Sequence, residues 1–592
     1  MPENSRSLLA WLGLAVLAAW FVGMFGRAYW TPDEPREADL SWRMSWQAEK
    51  SVPLLAGEAF CEKPPLAYWA AGAAMHAFGK SAWAARLPNL LYALITAWAV
   101  LLLARRSAGP VAALAAAAAI ATFLLAYQVA IWLATDAPLL AAGSVALLGE
   151  YQGFYAQRRQ ERWRGYTLMH AALAAGFLAK SGAAWMVPAL VLATLVVWER
   201  RWRELLRWEL YAGLLLQALV ISIWVWSVYS GSDGAAHLKV FFWDNLVGRF
   251  TRVAAPAGLQ YTSGHQNSPG KYLLELPLYL WPWTLLGAAA VRRAWTQRRA
   301  AAADRRAVRF AAACMLPTLA LLSIAATARD IYLAPALPGA ALLIGWWAAN
   351  AAAAPDPWDL RAVRATAAML LLACVAAGAA AALIGYDAWQ TLPSRALYVT
   401  ICAGGIAAAA GLALGGWRLA GRANLAGALA ALLAAYCALS VFPASQIYRQ
   451  VDRWHDLASI GRTLRADLGG APLVLIGADE TTRAWVDMYT TVTATRIPAP
   501  VGARGVQRLR ASIGADSQRR FLVELGGRDW SPRILALARA LGVHLPVGHG
   551  APPAWVAAAR LGVERIYALP FGRRYALLEA ERAATPRNKA SY

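Results

Sequence analysis

Charge is scarce in this chain: of its 592 residues only 15% are Asp, Glu, Lys or Arg. Soluble globular domains carry about 25%, so a soluble protein is excluded for most of the length. Acids are scarcer than bases, 34 against 57, and the formal net charge is +23. Cysteine is nearly missing. Cys314, Cys374, Cys402 and Cys437 fall in apolar runs and Cys61 stands alone in a polar loop, which excludes a disulfide framework and a zinc knuckle. The chain has no Walker motif and no internal repeat. Gly477-Ala478-Asp479-Glu480 follows a strand-like run but is no GxGxxG fingerprint. With no nucleotide site evident, the energy for any group transfer has to arrive in the substrate.

What is present is apolar: 59% of the residues are hydrophobic and the mean hydropathy is +0.40. The apolar residues come in runs of about 18 to 22, the length that spans a bilayer core. The first, Leu8 to Phe25, is followed by no small-residue cleavage site and is read as a membrane anchor rather than a signal peptide. Further spans are expected near 84–104, 111–130, 136–153, 167–180, 182–198, 210–229, 273–291, 308–326, 332–350, 364–384, 396–415 and 424–443. The expected fold is an α-helical polytopic membrane protein of about 13 transmembrane helices, occupying residues 1–445 with outer loops at 28–80 and 231–271. From residue 446 to 592, short apolar runs such as Leu473–Ile476 and Phe521–Val523 alternate with amphipathic segments such as Ile534–Leu541. That pattern predicts a small α/β domain.

The excess of base does not point to nucleic acid. Arginines cluster in short loops, among them Arg105-Arg106, Arg158 to Arg164, Arg200 to Arg207 and Arg292 to Arg309, the positive-inside pattern. With a cytoplasmic N-terminus every such cluster falls on the cytoplasmic side. The acidic 28–80 loop, the 231–271 loop, the Thr327–Asp330 turn and the C-terminal tail then all lie outside.

Ionisable residues on the outer face therefore carry the information. Asp33-Glu34-Pro35-Arg36-Glu37-Ala38-Asp39 packs four acids and an arginine beside the first span. A carboxylate there acts as a general base, binds a metal or grips a sugar hydroxyl, and adjacent carboxylates need a cation such as Arg36 or Lys63. Glu62-Lys63-Pro64-Pro65 opens a short aromatic segment, Leu66–Phe78, read as an interfacial helix from Tyr68 and Trp69. Asp136, in Ala134-Thr135-Asp136-Ala137-Pro138, either caps the following helix or, as an ionisable group at a membrane helix end, serves function. Lys180 interrupts an apolar stretch on the side where lysine is disfavoured. The 231–271 loop offers Arg249 for a phosphate and His265 as a metal-ligand candidate. Arg329-Asp330-Ile331-Tyr332 is expected to form a tight external turn, with arginine suited to forked contacts on phosphate. Carboxylates, guanidiniums and lysines converging on one face suit a reaction on an anionic lipid with a polar head.

Asp33-Glu34-Pro35-Arg36, Glu62-Lys63-Pro64-Pro65, Thr135-Asp136-Ala137, Lys180-Ser181-Gly182 and Arg329-Asp330-Ile331-Tyr332-Leu333-Ala334-Pro335 resemble, in order, the motifs of the 4-amino-4-deoxy-L-arabinose lipid A transferases. These belong to the protein-O-mannosyltransferase-like, GT-C glycosyltransferases. The sequence departs from that pattern at Glu37, where the family usually has an aromatic, and at Ser181-Gly182, where Gly-Pro is more usual. The resemblance implies a multi-pass enzyme of the bacterial inner membrane, its site facing the periplasm and its tail periplasmic. It would move a sugar from undecaprenyl phosphate to lipid A or a related glycolipid. On this reading Asp33, Asp136 and Glu34 are the catalytic acids. Lys63, Arg36, Arg249, Arg329, Tyr332 and Lys180 meet substrate phosphate, and Glu62 with His265 holds a divalent metal ion. A protein O-glycosyltransferase using the same donor class is the alternative. A lipid or sugar transporter is less favoured, because its charges belong near the midplane on broken helices.

Overall fold

The computed structural model describes residues 3–247, 268–298, 302–325, 329–513, 518–526, 530–543, 545 and 550–580. Each expected span is helical: α1 (Glu3–Phe25), α4 (Ala82–Thr122), α5 (Leu124–Ile131), α6 (Asp136–Tyr155), α7 (Arg159–Lys180), α8 (Ala183–Trp198), α9 (Trp208–Tyr229), α11 (Lys271–Tyr279), α12 (Thr284–Thr296), α13 (Ala302–Ile324), α14 (Leu337–Ala353), α15 (Pro357–Ala388), α16 (Arg395–Gly421) and α17 (Leu425–Val451). Among the described residues, eight stretches are by length and composition apolar enough to cross a membrane. The difference from thirteen has local causes. The spans expected at 84–104 and 111–130 are two helices that meet inside α4 at Gly109, whose φ of 89° and ψ of −176° are closed to residues with a Cβ; they count as one stretch, and α5 continues the second. The span expected at 273–291 is split into α11 and α12 by Trp281-Pro282, because proline cannot continue the hydrogen-bond ladder. Helix α8 is 16 residues long, α7 carries Arg159, Arg162, Arg164 and Lys180, and the apolar run of α6 is diluted by Asp136, Ser144, Glu150 and Gln152. The chain is a multi-pass membrane protein.

The core of the bundle surrounds α14, most of which is buried against α4, α13 and α17. Small residues permit this. A Cβ added at Gly345 would stand 2.4 Å from the Ala112 carbonyl oxygen, so α4 and α14 touch along their backbones, as small-residue seams in membranes allow.

The 28–80 segment is more ordered than a charged loop. It contains α2 (Asp33–Trp46), a short hairpin of β1 (Leu54–Leu55) and β2 (Glu58–Ala59), and α3 (Leu66–Phe78). Helix α2 is buried round most of its circumference, at Glu34, Pro35, Glu37, Ala38, Asp39, Leu40, Ser41 and Met44, three of which are acids. Hydrophobic periodicity does not reveal such a helix. Helix α3 lies where Leu66–Phe78 was expected, but Tyr68 is buried against α2 rather than set at an interface.

After the helical turn Asp452–Trp454, the tail folds as α18 (Leu457–Leu468), α19 (Glu480–Thr490), α20 (Gly502–Ile513), α21 (Pro532–Ala540) and α22 (Ala554–Ala558). These pack with strands β3 (Leu473–Ile476), β4 (Thr495–Ile497), β5 (Arg520–Leu525), β6 (Leu561–Ala568) and β7 (Arg574–Ala580). The strand order is β4-β3-β5-β7-β6. β3 runs parallel to both its neighbours, while β5–β7 and β7–β6 are antiparallel. One hydrophobic cluster covers each face. None of the five cysteines is in a disulfide, and all are buried.

Candidate active site

A buried ion cluster builds the site from below. Glu34 is fully buried and accepts six hydrogen bonds. Arg27 donates two, at 2.5 and 3.0 Å, and Arg86 two, at 2.9 and 2.7 Å; the backbone N–H groups of Trp30 and Leu133 supply the others, at 2.8 and 2.9 Å. Burial alone would raise its pKa. The two guanidiniums and their hydrogen bonds outweigh burial and hold the carboxyl at about 2. Trp30 lies three residues before Asp33 and Leu133 three before Asp136. One carboxylate thus pins together the two backbone segments that deliver the two aspartates. Glu34 does not line the cavity above it; its place is beneath the site.

That cavity, about 400 Å³, lies between α2, the Glu62-Lys63 turn, the start of α6, the α7–α8 turn and the Arg329–Pro335 turn. Among the described residues lining it are four acids, Asp33, Glu37, Glu62 and Asp136, and four bases, Arg36, Lys63, Lys180 and Arg329. Leu139, Met186, Phe241, Leu322 and Ile331 form an apolar wall on the same cavity. One space therefore offers charge to a polar head and hydrocarbon to a chain.

The acids and bases are interleaved. Arg329 donates to Asp33 at 2.6 Å and Arg36 to the other oxygen of Asp33 at 3.3 Å. Arg36 also donates to Glu37 at 2.8 Å, and Lys63 reaches the same Glu37 oxygen at 3.0 Å. Burial pushes the Asp33 carboxyl up, but Arg36, Arg329 and Lys63 together hold it below its ordinary value. Glu37 is lowered in the same way, against burial, by Lys63 and Arg36. Lys180 donates to Asp136 at 2.5 Å and stands 4.8 Å from the centre of the Tyr332 ring. Asp136 is the first residue of α6, and Thr135 makes no side-chain cap there. The aspartate is committed to Lys180 rather than to capping.

Local sequence explains how the cations arrive. Pro64-Pro65 ends the turn that carries Lys63, and α3 starts at once at Leu66, since proline is tolerated at helix entry. Lys180 ends α7, and Ser181 follows with φ 54° and ψ −144°, a region proper to glycine. Arg329 precedes a short 3-10 turn, Asp330–Ala336. Its carbonyl oxygen accepts from the Tyr272 hydroxyl at 2.7 Å, and Asp330 accepts from Lys271 at 2.5 Å, so the start of α11 holds the turn in place.

Thus Asp33, Arg36, Glu62, Lys63, Asp136, Lys180, Arg329 and Tyr332 share one cavity, and Glu34 sits beneath it. Arg249 and His265 lie outside the described residues. The divalent-metal expectation rests on Glu62, which lines the cavity, and on His265, which lies outside the described residues. Among the described residues no three His, Cys, Asp or Glu side chains gather as ligands. Asp33, Glu37 and Asp136 are each in an ion pair with a protein cation, whereas Ca²⁺ and Mg²⁺ sites need available oxygens. Three residues with clear roles had weak sequence signals. Glu37 bridges Arg36 and Lys63. Arg86, in Ala84-Ala85-Arg86-Leu87-Pro88, is an arginine at the outer end of an apolar helix, and that position was the clue. Arg27 closes the first span.

The bundle, its charged cavity and the small α/β tail define a GT-C-type membrane fold. It is that of ArnT from Cupriavidus metallidurans. The crystal structure of that protein bound to undecaprenyl phosphate matches with a TM-score of 0.70 at 18% identity, covering 97% of this chain and 98% of that one. The apo-state crystal structure matches with a TM-score of 0.68. In sequence, the family described as dolichyl-phosphate-mannose-protein mannosyltransferase matches residues 62–226. The chain is 29% identical over 343 residues to the undecaprenyl phosphate-alpha-4-amino-4-deoxy-L-arabinose arabinosyl transferase of Pseudomonas aeruginosa (strain LESB58), covering 58% of this chain and 60% of that protein. It is 28% identical over 342 residues to the protein of the same name from Edwardsiella ictaluri (strain 93-146), covering 57% and 59%. In sequence the chain thus spans about 60% of the length of these relatives.

Proposed function

We propose that this chain moves a sugar, aminoarabinose in the first instance, from undecaprenyl phosphate to lipid A or a related glycolipid at the periplasmic face of the bacterial inner membrane. The observation that carries this reading is the cavity itself: alternating acids and bases beside an apolar wall, in a fold whose solved example holds undecaprenyl phosphate. Residues 1–445 would form the transferase bundle and 446–592 a periplasmic domain.

In the reaction, the bond between the anomeric carbon and the phosphate oxygen breaks, and its electron pair leaves with undecaprenyl phosphate. An acceptor oxygen forms the new bond from the opposite face, which inverts the sugar. Lys63, Lys180 and Arg329 exchange their carboxylate partners for phosphate oxygens and stabilise the growing charge. Arg36 keeps Asp33 and Glu37 in register. Before the donor enters, Asp33 holds the Arg36 and Arg329 guanidiniums in place and Asp136 holds the Lys180 ammonium at the Tyr332 ring. A carboxylate whose pKa is held below its ordinary value is a weak proton acceptor. Asp33 is therefore poorly suited to be a general base, a role that an acceptor arriving ionised, such as a lipid A phosphate, does not require. Glu34 acts through the backbone, as the anchor of both aspartate segments.

The similarity of residues 62–226 to the protein mannosyltransferase family favours, as a second reading, a protein hydroxyl acceptor. Mass spectrometry of lipid A from cells with and without the chain decides between them. Loss of an amino-pentose mass on deletion supports the glycolipid acceptor; unchanged lipid A together with altered periplasmic glycoproteins supports the second.

A further inference from the structure

The motif Gly477-Ala478-Asp479-Glu480 has a use other than nucleotide binding. It leaves the C-terminal end of β3 and starts α19, with Asp479 capping the helix through the Thr482 N–H at 2.8 Å. This end of the parallel strands faces α2. Ala484 shares a buried cluster with Leu40, Met44 and Tyr68, and Met488 shares another with Ala38 and Met75. The Thr481 hydroxyl donates to the Pro32 carbonyl at 2.7 Å, one residue before Asp33. Glu480 then reaches Arg36, accepting from its Nη1 at 2.7 Å, while Nη2 of the same guanidinium serves Asp33 and Glu37.

We propose that Glu480 of the tail is a positioning residue for the cavity, acting through Arg36. This inference rests on the transferase reading above. A guanidinium is a rigid planar fork. Fixing Nη1 fixes the plane, and with it the direction in which Nη2 meets the two acids. Burial works against a charged Arg36, but Glu37, Asp33, Glu480 and Glu62 outweigh it and hold the charge in place. Only a docked tail supplies the fourth side of this arrangement, so docking of α19 on α2 and readiness of Asp33 are linked.

The test uses the full-length protein in nanodiscs. It measures undecaprenyl phosphate binding, the transfer rate and the melting temperature for wild type, Glu480→Gln, Glu480→Ala, Arg36→Ala and the Glu480→Ala/Arg36→Ala double variant. Arg483→Gln is the control for docking. It loses a different contact, that of Arg483 with the Leu55 carbonyl and Glu58, and does not touch Arg36. The expected result is a fall in kcat of about 10- to 100-fold for Glu480→Ala, as misplacement of a positioning group produces, with KM unchanged. Glu480→Gln, which keeps an acceptor oxygen, should retain part of the activity. In the Arg36→Ala background, Glu480→Ala should do nothing further. Equal losses in both backgrounds, or a loss in Arg483→Gln as large as in Glu480→Ala, would overturn the inference. A wild-type chain that binds no undecaprenyl phosphate would instead overturn the reading of the cavity, and the inference with it.

Discussion

The Arg329 guanidinium donates to Oδ2 of Asp33 across 2.6 Å, joining residues 296 positions apart in the chain. The pair closes one side of the cavity. The Arg329 side chain is 45% exposed, against 16% for Asp33. Arg329 is therefore the more accessible partner and the one that an incoming phosphate meets first.

Arg329→Lys keeps the charge but loses the fork, and Arg329→Met loses both. A hydrogen bond to a charged group contributes about 1.5–3 kcal/mol. Arg329→Met should therefore weaken undecaprenyl phosphate binding by about 10- to 100-fold, with Arg329→Lys falling between it and wild type. Equilibrium binding of undecaprenyl phosphate to purified protein reads this directly.

Asp33→Asn should separate folding from chemistry. The side chain keeps its size and one acceptor oxygen, so the melting temperature should move little. Transfer should fall by about 100-fold or more, the scale expected when the groups that meet the reactants lose their placement. Normal turnover by this variant would remove Asp33 from the mechanism.

Glu34→Gln should do the opposite of Asp33→Asn. It leaves Arg27 and Arg86 buried without their shared counter-charge, and breaking a buried pair costs about 3–5 kcal/mol. The variant should melt at a markedly lower temperature or fail to accumulate in the membrane. Equal melting of Glu34→Gln and wild type would show that the cluster is not an anchor.

Acid should loosen the same anchor. The Glu34 carboxyl sits at about 2 in the folded protein, against an ordinary 4.5. A carboxyl lowered by folding binds fewer protons when folded than when unfolded between these values, so stability rises with pH across that window. Its contribution is complete above about pH 4.5 and is lost as pH falls toward about 2. Thermal melts from pH 7 down to pH 3 should be flat at first and then decline below about 4.5. Conversion of Glu34 to Gln should remove this part of the decline.

Much of the site was legible because membranes make charge conspicuous. Asp33, Lys63, Asp136, Lys180 and Arg329 stand out against long apolar runs, and the positive-inside rule assigns them a common face. Helix α2 was harder to see, since Glu34, Glu37 and Asp39 are among its buried residues. Apolar periodicity reads such a charged segment as a loop. Glu480 was visible only as the end of a motif that fitted no nucleotide.

The sequence by itself determined the multi-pass helical architecture, the α/β pattern of the tail and most of the charged side chains in the cavity. These follow from local properties: run length, sign of charge and the alternation of short strands with amphipathic helices. Only the tertiary structure decided the partners. Glu34 and Asp33 are adjacent in the chain and alike in chemistry, yet one is sealed beneath two arginines and the other opens on the cavity. Successive residues on a helix point about 100° apart, so what each one meets depends on what packs around it. Arg86, Arg329 and Glu480 come from segments 52, 296 and 444 positions away from the acids and arginine they engage, and no local pattern records such a meeting.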